Sequence, residues 1–229
     1  MSTKLGAKTL ESMSQAQWYN QWTLKKFEQY LKGDILEVGC GIGNFTQELT
    51  RFGNVYAIDI DSEHIKDTDK LLNGKGRVGF GDIEAGKYFF MDQKFDSIVC
   101  INVLEHIKND SKTISNIYSL LKPGGSLVLL VPAHQFLYGE IDKGIGHLRR
   151  YNKKSLVSLL KNKNLKIERT RVLNILGAIG WFISAKFFSE KFVDERKLKV
   201  FNLIAPWVLP LEDLLEPPIG TSILVIAKK

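Results

Sequence analysis

Residues 33 to 49 read GDILEVGCGIGNFTQEL, and the residue types and their spacing could hold a ligand. A strand-like run leads into Gly39, Gly41 and Gly43, and a helical pattern follows. Glycines at such a turn let the backbone bend tightly and approach a ligand closely. A dinucleotide fingerprint asks for G-x-G-x-x-G, but here the third position is Asn44 and the glycine stands at 43. The G-x-x-x-x-G-K-[ST] phosphate loop is absent from this turn. Glu37, just ahead of the glycines, sets a carboxylate where a pyrophosphate would be repelled and an ammonium or sulfonium welcomed. Asp59 lies 22 residues further on, at the end of the next strand-like run, placed to accept the two hydroxyls of a ribose. Asp82, in GDIE after the third run, can accept from an adenine amino group.

A second concentration of chemistry occupies residues 131 to 152, VPAHQFLYGEIDKGIGHLRRYN. It gathers His134, Tyr138, Asp142, His147, Arg149, Arg150 and Tyr151, and its polar, glycine-rich composition reads as loop rather than helix. His147 has the intrinsic pKa of a general base; the competing reading is a histidine that pins the loop. Arg149 and Arg150 can grip a carboxylate or phosphate, or one of them can pair with Asp142.

These residues need a frame, and the chain supplies alternating elements. Strand-like runs at 34–39, 54–59, 77–82, 95–101 and 125–132 alternate with helical patterns in NFTQELTRF, SEHIKDTDKLL and DSKTISNIYSLL. A helix near NKKSLVSLLKNK, a strand near LKIERTRV and a closing strand in TSILVIAKK follow. The alternation predicts βαβ units in a single α/β domain over 1–229. Its parts are an N-terminal helical cover (1–33), a ligand-binding core (34–172), a helical insertion or cap (173–218) and a last strand (219–229). The insertion is rich in aromatic residues, among them Trp181, Phe182, Phe187, Phe188, Phe192, Phe201 and Trp207, and carries Lys186, Lys191, Lys197 and Lys199. It reads as a substrate cap, a homodimer interface or a peripheral contact with a membrane surface.

At 229 residues and 44% hydrophobic content the chain can bury a sizeable core. A formal charge of +7 and a pI near 9.2 suit an anionic partner without demanding one. Cys40 and Cys100 each close a strand-like run and form neither a CxxC pair nor a disulfide framework. The opening residues lack a basic-then-apolar leader, and the apolar run 175–185 is too short to span a bilayer. The expectation is a cytoplasmic protein, with membrane association through 173–218 left open.

EVGCGIG, AIDID, GDIE and LLKPGGSLVLLVP, in this order, resemble the motifs of class I S-adenosylmethionine-dependent methyltransferases. That resemblance implies a Rossmann-like, seven-stranded, mostly parallel sheet with helices on both faces, and S-adenosylmethionine as cofactor. It assigns Glu37, Gly39, Gly41, Asn44, Asp59, Ile60, Asp82, Ile83, Asn102 and Val103 to the cofactor. The segment LYG-to-GHLRRY resembles that of a type-11/12-like group often associated with glycosyltransferases and with envelope-sugar or lipid-linked pathways. The same group carries the YN-x-W pattern of Tyr19, Asn20 and Trp22, and the P-x-G-x-S of Pro218, Gly220 and Ser222. Tyr19 and Trp22 are then a lid over the cofactor or ordinary packing of an amphipathic helix.

The subtype follows from what stands after the fourth strand. Base-amino methylases carry [DNS]-P-P-[YFW] there, and cytosine-C5 methylases a Pro-Cys nucleophile; INVLEHI has neither, and Val99 precedes Cys100. NVLEHI resembles the small-molecule branch that includes quinone-biosynthesis O-methyltransferases. Some of these bind a divalent metal through Glu-x-x-Glu-His, a pattern broken here by Asn102 ahead of Glu105 and His106. The expected protein is therefore a metal-independent methyltransferase acting on a small-molecule or lipid- or glycan-linked acceptor, most naturally at oxygen, with no nucleic acid. His147, Tyr138 and Arg149 would face the acceptor. The rivals are an RNA methyltransferase and a non-catalytic cofactor-binding partner that regulates another enzyme.

Overall fold

A computed structural model describes residues 16–187 and 195–229. Eight strands form one sheet: β1 (Asp34–Val38), β2 (Asn54–Asp59), β3 (Gly76–Asp82), β4 (Lys87–Tyr88), β5 (Phe95–Ile101), β6 (Leu121–Pro132), β7 (Lys166–Leu173) and β8 (Ser222–Lys228). Their spatial order is β4-β3-β2-β1-β5-β6-β8-β7. β1 pairs in parallel with β2 and β5, β2 with β3, and β5 with β6. β8 enters antiparallel between β6 and β7, and β4 folds back antiparallel on β3.

The sheet is therefore eight-stranded and mixed, not seven-stranded and mostly parallel. The added strand is two residues long and pairs only Gly81 with Tyr88 and Asp82 with Lys87. So short a hairpin arm carries no apolar periodicity that a sequence could display. The antiparallel entry of β8 is equally silent in sequence, because burial on both faces makes all of Ser222–Ala227 buried and erases alternation.

Helices cover both faces. Leu36, Val38, Ile98, Leu127, Leu129, Ile223 and Val225 point to one side, where α4 (Asp110–Leu120) adds Ile114 and Ile117 and α6 (Lys153–Lys161) adds Leu156 and Leu160. On the other side Ile35, Ala57, Val99, Val128, Leu224 and Ile226 meet α1 (Gln17–Lys25), the short α2 (Thr46–Leu49) and the long α8 (Glu195–Leu215). The switch of side chains between neighbours along each strand is the period-2 geometry of a pleated strand. The helices begin where short polar side chains offer an oxygen to free amides. Asp61 caps α3 (Ser62–Leu72) by accepting from Glu63 N at 3.0 Å, Asn109 caps α4 from Lys112 N at 2.9 Å, and Asn152 caps α6 from Ser155 N at 2.8 Å.

Within 131–152 a short helix, α5 (Glu140–Ile145), forms where the composition reads as loop. Asp142 decides this: its side chain accepts from Gly139 N at 3.0 Å, and Gly146 closes the turn at φ +88°. The described part of the insertion is mainly helical, with α7 (Ile175–Phe187) and α8; Phe188, Lys191 and Phe192 lie outside the described residues. Among the described residues no helix is long and apolar enough to cross a membrane.

At the edge of the sheet where β1 and β2 begin, a Cβ on Gly53 would collide with the Gly33 carbonyl oxygen. Gly53→Ala must push the two backbone segments apart and should cost about 1–3 kcal/mol, the usual scale of overpacking. Urea unfolding should show the lower midpoint, while ligand affinity, set at the opposite strand ends, stays unchanged.

Candidate ligand crevice and the GHLRRY network

The carboxyl ends of β1, β2 and β5 meet at the glycine turn, the place where open α/β sheets bind ligands. Gly39 and Cys40 both donate their amides to Ile58 O, at 2.8 and 3.1 Å, tying the turn to β2. Gly39 has φ +73°, and a Cβ there would collide with Val103 Cγ2. Glycine at 39 is thus demanded twice, by conformation and by the approach of the turn that follows β5. Gly41 donates to Asp59 Oδ2 at 2.9 Å, and Asp61 N donates to Asp59 Oδ1 at 2.9 Å. Asp59 therefore buckles the glycine turn to the end of β2 and stands at the crevice at the same time.

Glu37 is buried, and its Oε2 has no hydrogen-bond partner among the described residues. Burial, assisted by the negative charge of Asp59, pushes its carboxyl up to about 8. A buried acid with an oxygen left unpartnered asks for a cation or a donor from outside the chain.

The other residues assigned to the crevice fall into two groups. Ile60 presents an apolar side chain that is 62% exposed beside Asp59. Asp82 accepts from Ala85 N at 2.8 Å, Asn44 is half-buried, and Asn102 adopts φ +53° at the end of β5. Ile83, by contrast, is buried in the first apolar cluster. Tyr19 and Trp22 lie in the packing of α1 on the second: Tyr19 stacks on Trp22 at 5.8 Å and meets Phe201 of α8 edge-on at 5.6 Å. Cys40 and Cys100 are free, buried thiols.

Beyond β6 the GHLRRY segment folds onto a 3-10 turn at Leu104–His106. Leu148 N donates to Glu105 O at 2.8 Å, His106 Nδ1 lies 3.1 Å from Gly146 O, and the Tyr151 hydroxyl donates to Leu104 O at 3.3 Å. At its centre Asp142 is fully buried. His147 Nδ1 stands 2.7 Å from Asp142 Oδ1, and Arg150 Nε donates to the same oxygen at 2.9 Å. Burial opposes the ionised form, but the bond from His147 and the Arg150 charge hold Asp142 below the usual carboxylate range. His147 Nε2 faces Glu105 Oε1 at 3.6 Å, and the His106 and His147 rings meet edge-on at 4.8 Å.

Glu105 is the group that sequence reasoning underrated. It is fully buried, neither carboxylate oxygen has a hydrogen-bond partner among the described residues, and burial raises it to about 7. Glu105, His106 and His147 also present atoms within 4.8 Å of one another that could ligate a cation. The spacing of Glu105 and His106 was visible in sequence, but the third member comes from a segment 41 residues away.

Tyr138 donates its hydroxyl to His147 O at 2.9 Å, so it braces the backbone at His147. Arg149 is engaged by Asp110 Oδ2 at 3.1 Å and Lys108 O at 3.1 Å, and lines a surface recess of about 480 Å³ with Asp110, Tyr151, Ser155 and Ser158. The arginine paired with Asp142 is Arg150. The two arginines thus divide their work, one in the wall and one at the surface.

An open α/β sheet with a glycine turn, a strand-end aspartate and a buried carboxyl with one oxygen unpartnered is a Rossmann-like fold with a ligand crevice. Residues 13–170 match the model of the methyltransferase domain family, and the chain belongs to that family. It is similar to the ubiquinone biosynthesis O-methyltransferase of Rickettsia bellii, 26% identical over 155 residues that cover 61% of this chain and 64% of that protein. The chain thus spans just under two thirds of the length of that relative. Among solved structures it is similar in fold to an S-adenosylmethionine-dependent methyltransferase from Mesorhizobium loti (TM-score 0.63, 15% identity, 93% of this chain and 98% of that one). It is likewise similar to phosphoethanolamine N-methyltransferase 2 of Haemonchus contortus in complex with S-adenosyl-L-methionine (TM-score 0.62, 20% identity, 92% and 52%).

A carboxyl raised on folding binds its proton more tightly in the native state than in the unfolded one, whose glutamate titrates near 4.3. The contribution of Glu105 to stability is therefore full below about pH 4.3 and is lost as pH rises to about 7. That loss is on the order of 3 kcal/mol. Glu105→Gln should remove this slope. Thermal melts should find the variant gaining on the parent between pH 4.5 and 7, with a constant difference above pH 7.

Proposed function

We propose that the protein transfers a methyl group from S-adenosylmethionine to a hydroxyl of a small-molecule or lipid- or glycan-linked acceptor. The observation that carries this reading is the buried Glu37 carboxyl, whose Oε2 has no hydrogen-bond partner among the described residues, beside the Gly39–Gly41 turn with Asp59 at the same edge. When bound, the cofactor supplies an electrophilic methyl group on a sulfonium. The chain's residues fit such a ligand. Glu37 offers charge to its ammonium, Asp59 accepts from ribose hydroxyls, Ile60 gives an apolar face to the adenine, and Asp82, Asn102 and Val103 line the remainder. Tyr19, Trp22 and Ile83 support this site from behind, through packing. Membership in the methyltransferase domain family and the likeness to O-methyltransferases support the same reading.

Transfer to oxygen forms a C–O bond, breaks the C–S bond and leaves the acceptor's proton to be taken up. Methyl transfer asks chiefly for alignment and exclusion of water, and proton removal adds a further factor. His147 is oriented to take that proton, since Asp142 fixes its Nδ1, the Tyr138 hydroxyl fixes its carbonyl, and Nε2 faces Glu105. Glu105, 3.6 Å from Nε2 and raised by burial to about 7, would receive that proton from His147 when it stands in its ionised form. Arg149, already held by Asp110, directs the acceptor through the recess it lines. In this reading the cluster of Glu105, His106 and His147 works without a metal.

Binding a cationic cofactor against Glu37 should ionise that carboxyl, so calorimetry near pH 7 in buffers of different ionisation enthalpy should detect release of a proton. Asp59→Ala should weaken cofactor binding by about 1–3 kcal/mol, the scale for hydrogen bonds to a charged group. NAD should not bind. Unaltered affinity in the variant would move the ribose elsewhere.

His147→Ala should lower turnover by roughly 10² to 10⁴-fold with cofactor affinity intact. Labelled-methyl transfer to fractionated lipid, glycan and metabolite extracts is the measurement, and turnover should persist in EDTA. Loss in EDTA, restored by magnesium or zinc, would make the histidine cluster a metal centre instead.

A further inference from the structure

The long helix α8 is apolar on two opposite faces. Leu198, Ala205 and Leu209 are buried against the body of the protein. Val200, Leu203, Trp207, Leu211, Leu214 and Leu215 are between 54 and 83% exposed. At about 100° per residue, these six fall within an arc of about 120°, and they run about 22 Å along the helix. A helix apolar all round belongs in an interior, so a face of this size on the outside calls for a partner.

The charges around the stripe identify the partner. From Val200 to Leu211 there is no charged residue, and Arg196, Lys197 and Lys199 just ahead of it in the chain outnumber Asp194 and Glu195 beside them. The acids at the other end are drawn inward. Glu212 is buried and accepts from Asn174 N at 2.8 Å and Ile175 N at 2.6 Å. Asp213 pairs with Lys26 and Arg171, and Glu216 with Arg169 and Arg171. The stripe thus carries no uncompensated negative charge, in a chain of formal charge +7. Anionic headgroups would neutralise that charge, whereas a second copy of the chain would bring like charge against it. Trp207, 80% exposed in mid-stripe, is of the residue type that settles at the membrane–water boundary.

We infer that α8 lays this apolar face on an anionic lipid surface, lying in the interface without crossing it. The neighbouring helix extends the same apolar character through the exposed Ile179 and Phe182. That helix, α7, also reaches the GHLRRY network. Trp181 donates to Leu137 O at 3.1 Å, and its ring lies 4.6 Å from the Arg150 guanidinium carbon. One helix of the pair that docks, α7, is therefore also a brace of the GHLRRY segment. This inference goes beyond methyl transfer and does not depend on it.

Vesicle flotation of the full chain tests it. The protein should float with vesicles of equal parts phosphatidylcholine and phosphatidylglycerol, less so at high salt, and not with phosphatidylcholine alone. Tryptophan emission should shift to the blue on binding. Leu203→Asp with Leu214→Asp should reduce partitioning by about tenfold or more. The melting temperature and the calorimetric affinity for S-adenosylmethionine should stay the same. Trp207→Gln serves as the milder variant should the double change disturb folding, and it should abolish most of the emission shift. Failure of the parent to float with anionic vesicles, or equal binding by the variants, overturns the inference. So does a parent dimer in sedimentation that the double variant dissociates, without vesicle affinity; the face then belongs to a second copy. Loss of cofactor binding with vesicle binding kept would fault the methyl-transfer reading alone.

Discussion

The buried carboxylate of Asp142 holds together the segment that follows β6. It accepts from His147, Arg150 and Gly139, and so fixes a helix start, an imidazole and a guanidinium with one side chain. An ionised group that is fully buried is tolerable only when its lone pairs are occupied and its charge is matched, and both conditions hold here. From this point the structure spreads outward. Arg150 reaches Ala133 O and the ring of Trp181, tying the end of β6 to α7, while His147 turns its second nitrogen to Glu105 on the turn after β5. Removal of Asp142 would leave Arg150 and His147 buried around a missing acceptor, which is far costlier than loss of any single contact.

Two further carboxyls, Glu37 and Glu105, respond to burial in the opposite way. Neither has a hydrogen-bond partner for at least one oxygen among the described residues, and both are raised toward neutrality. Such groups weaken a fold at neutral pH and persist where the free energy is recovered in binding or proton transfer. They flank one turn: Val103, two residues before Glu105, packs where a Cβ on Gly39 would stand. The crevice and the network around Asp142 are therefore neighbours through the close approach of Val103 to Gly39.

The insertion shows a third use of charge. Its acids Glu212 and Asp213 are engaged by Arg171, Lys26 and the amides that open α7, which seats the C-terminal part of α8 and leaves the apolar face from Val200 to Leu211 without charge. Pro206 and Pro210 stand within this helix and remove amide donors there. The helix thus owes its stability to packing along Leu198, Ala205 and Leu209 more than to its own backbone ladder.

Local chemistry made much of this legible in the residues themselves. The strand runs, the glycine turn, Glu37 and Asp59, and the capped helices all depend on neighbours within a few positions or on one repeating unit, and composition and spacing report such features directly. What the chain by itself left open depends on distant partners. Whether His147 stands alone or within a buried acid network, which arginine pairs with Asp142, and whether Tyr19 and Trp22 pack or project were decided only when β6, α5 and α8 came together. The strand β4 and the reversed entry of β8 escaped for a related reason: a two-residue pairing is too short for any period, and burial on both faces removes the alternation that marks direction. Desolvation is the common cause, since a carboxyl acquires the properties of Glu37 or Glu105 only from the tertiary structure that takes water away from it.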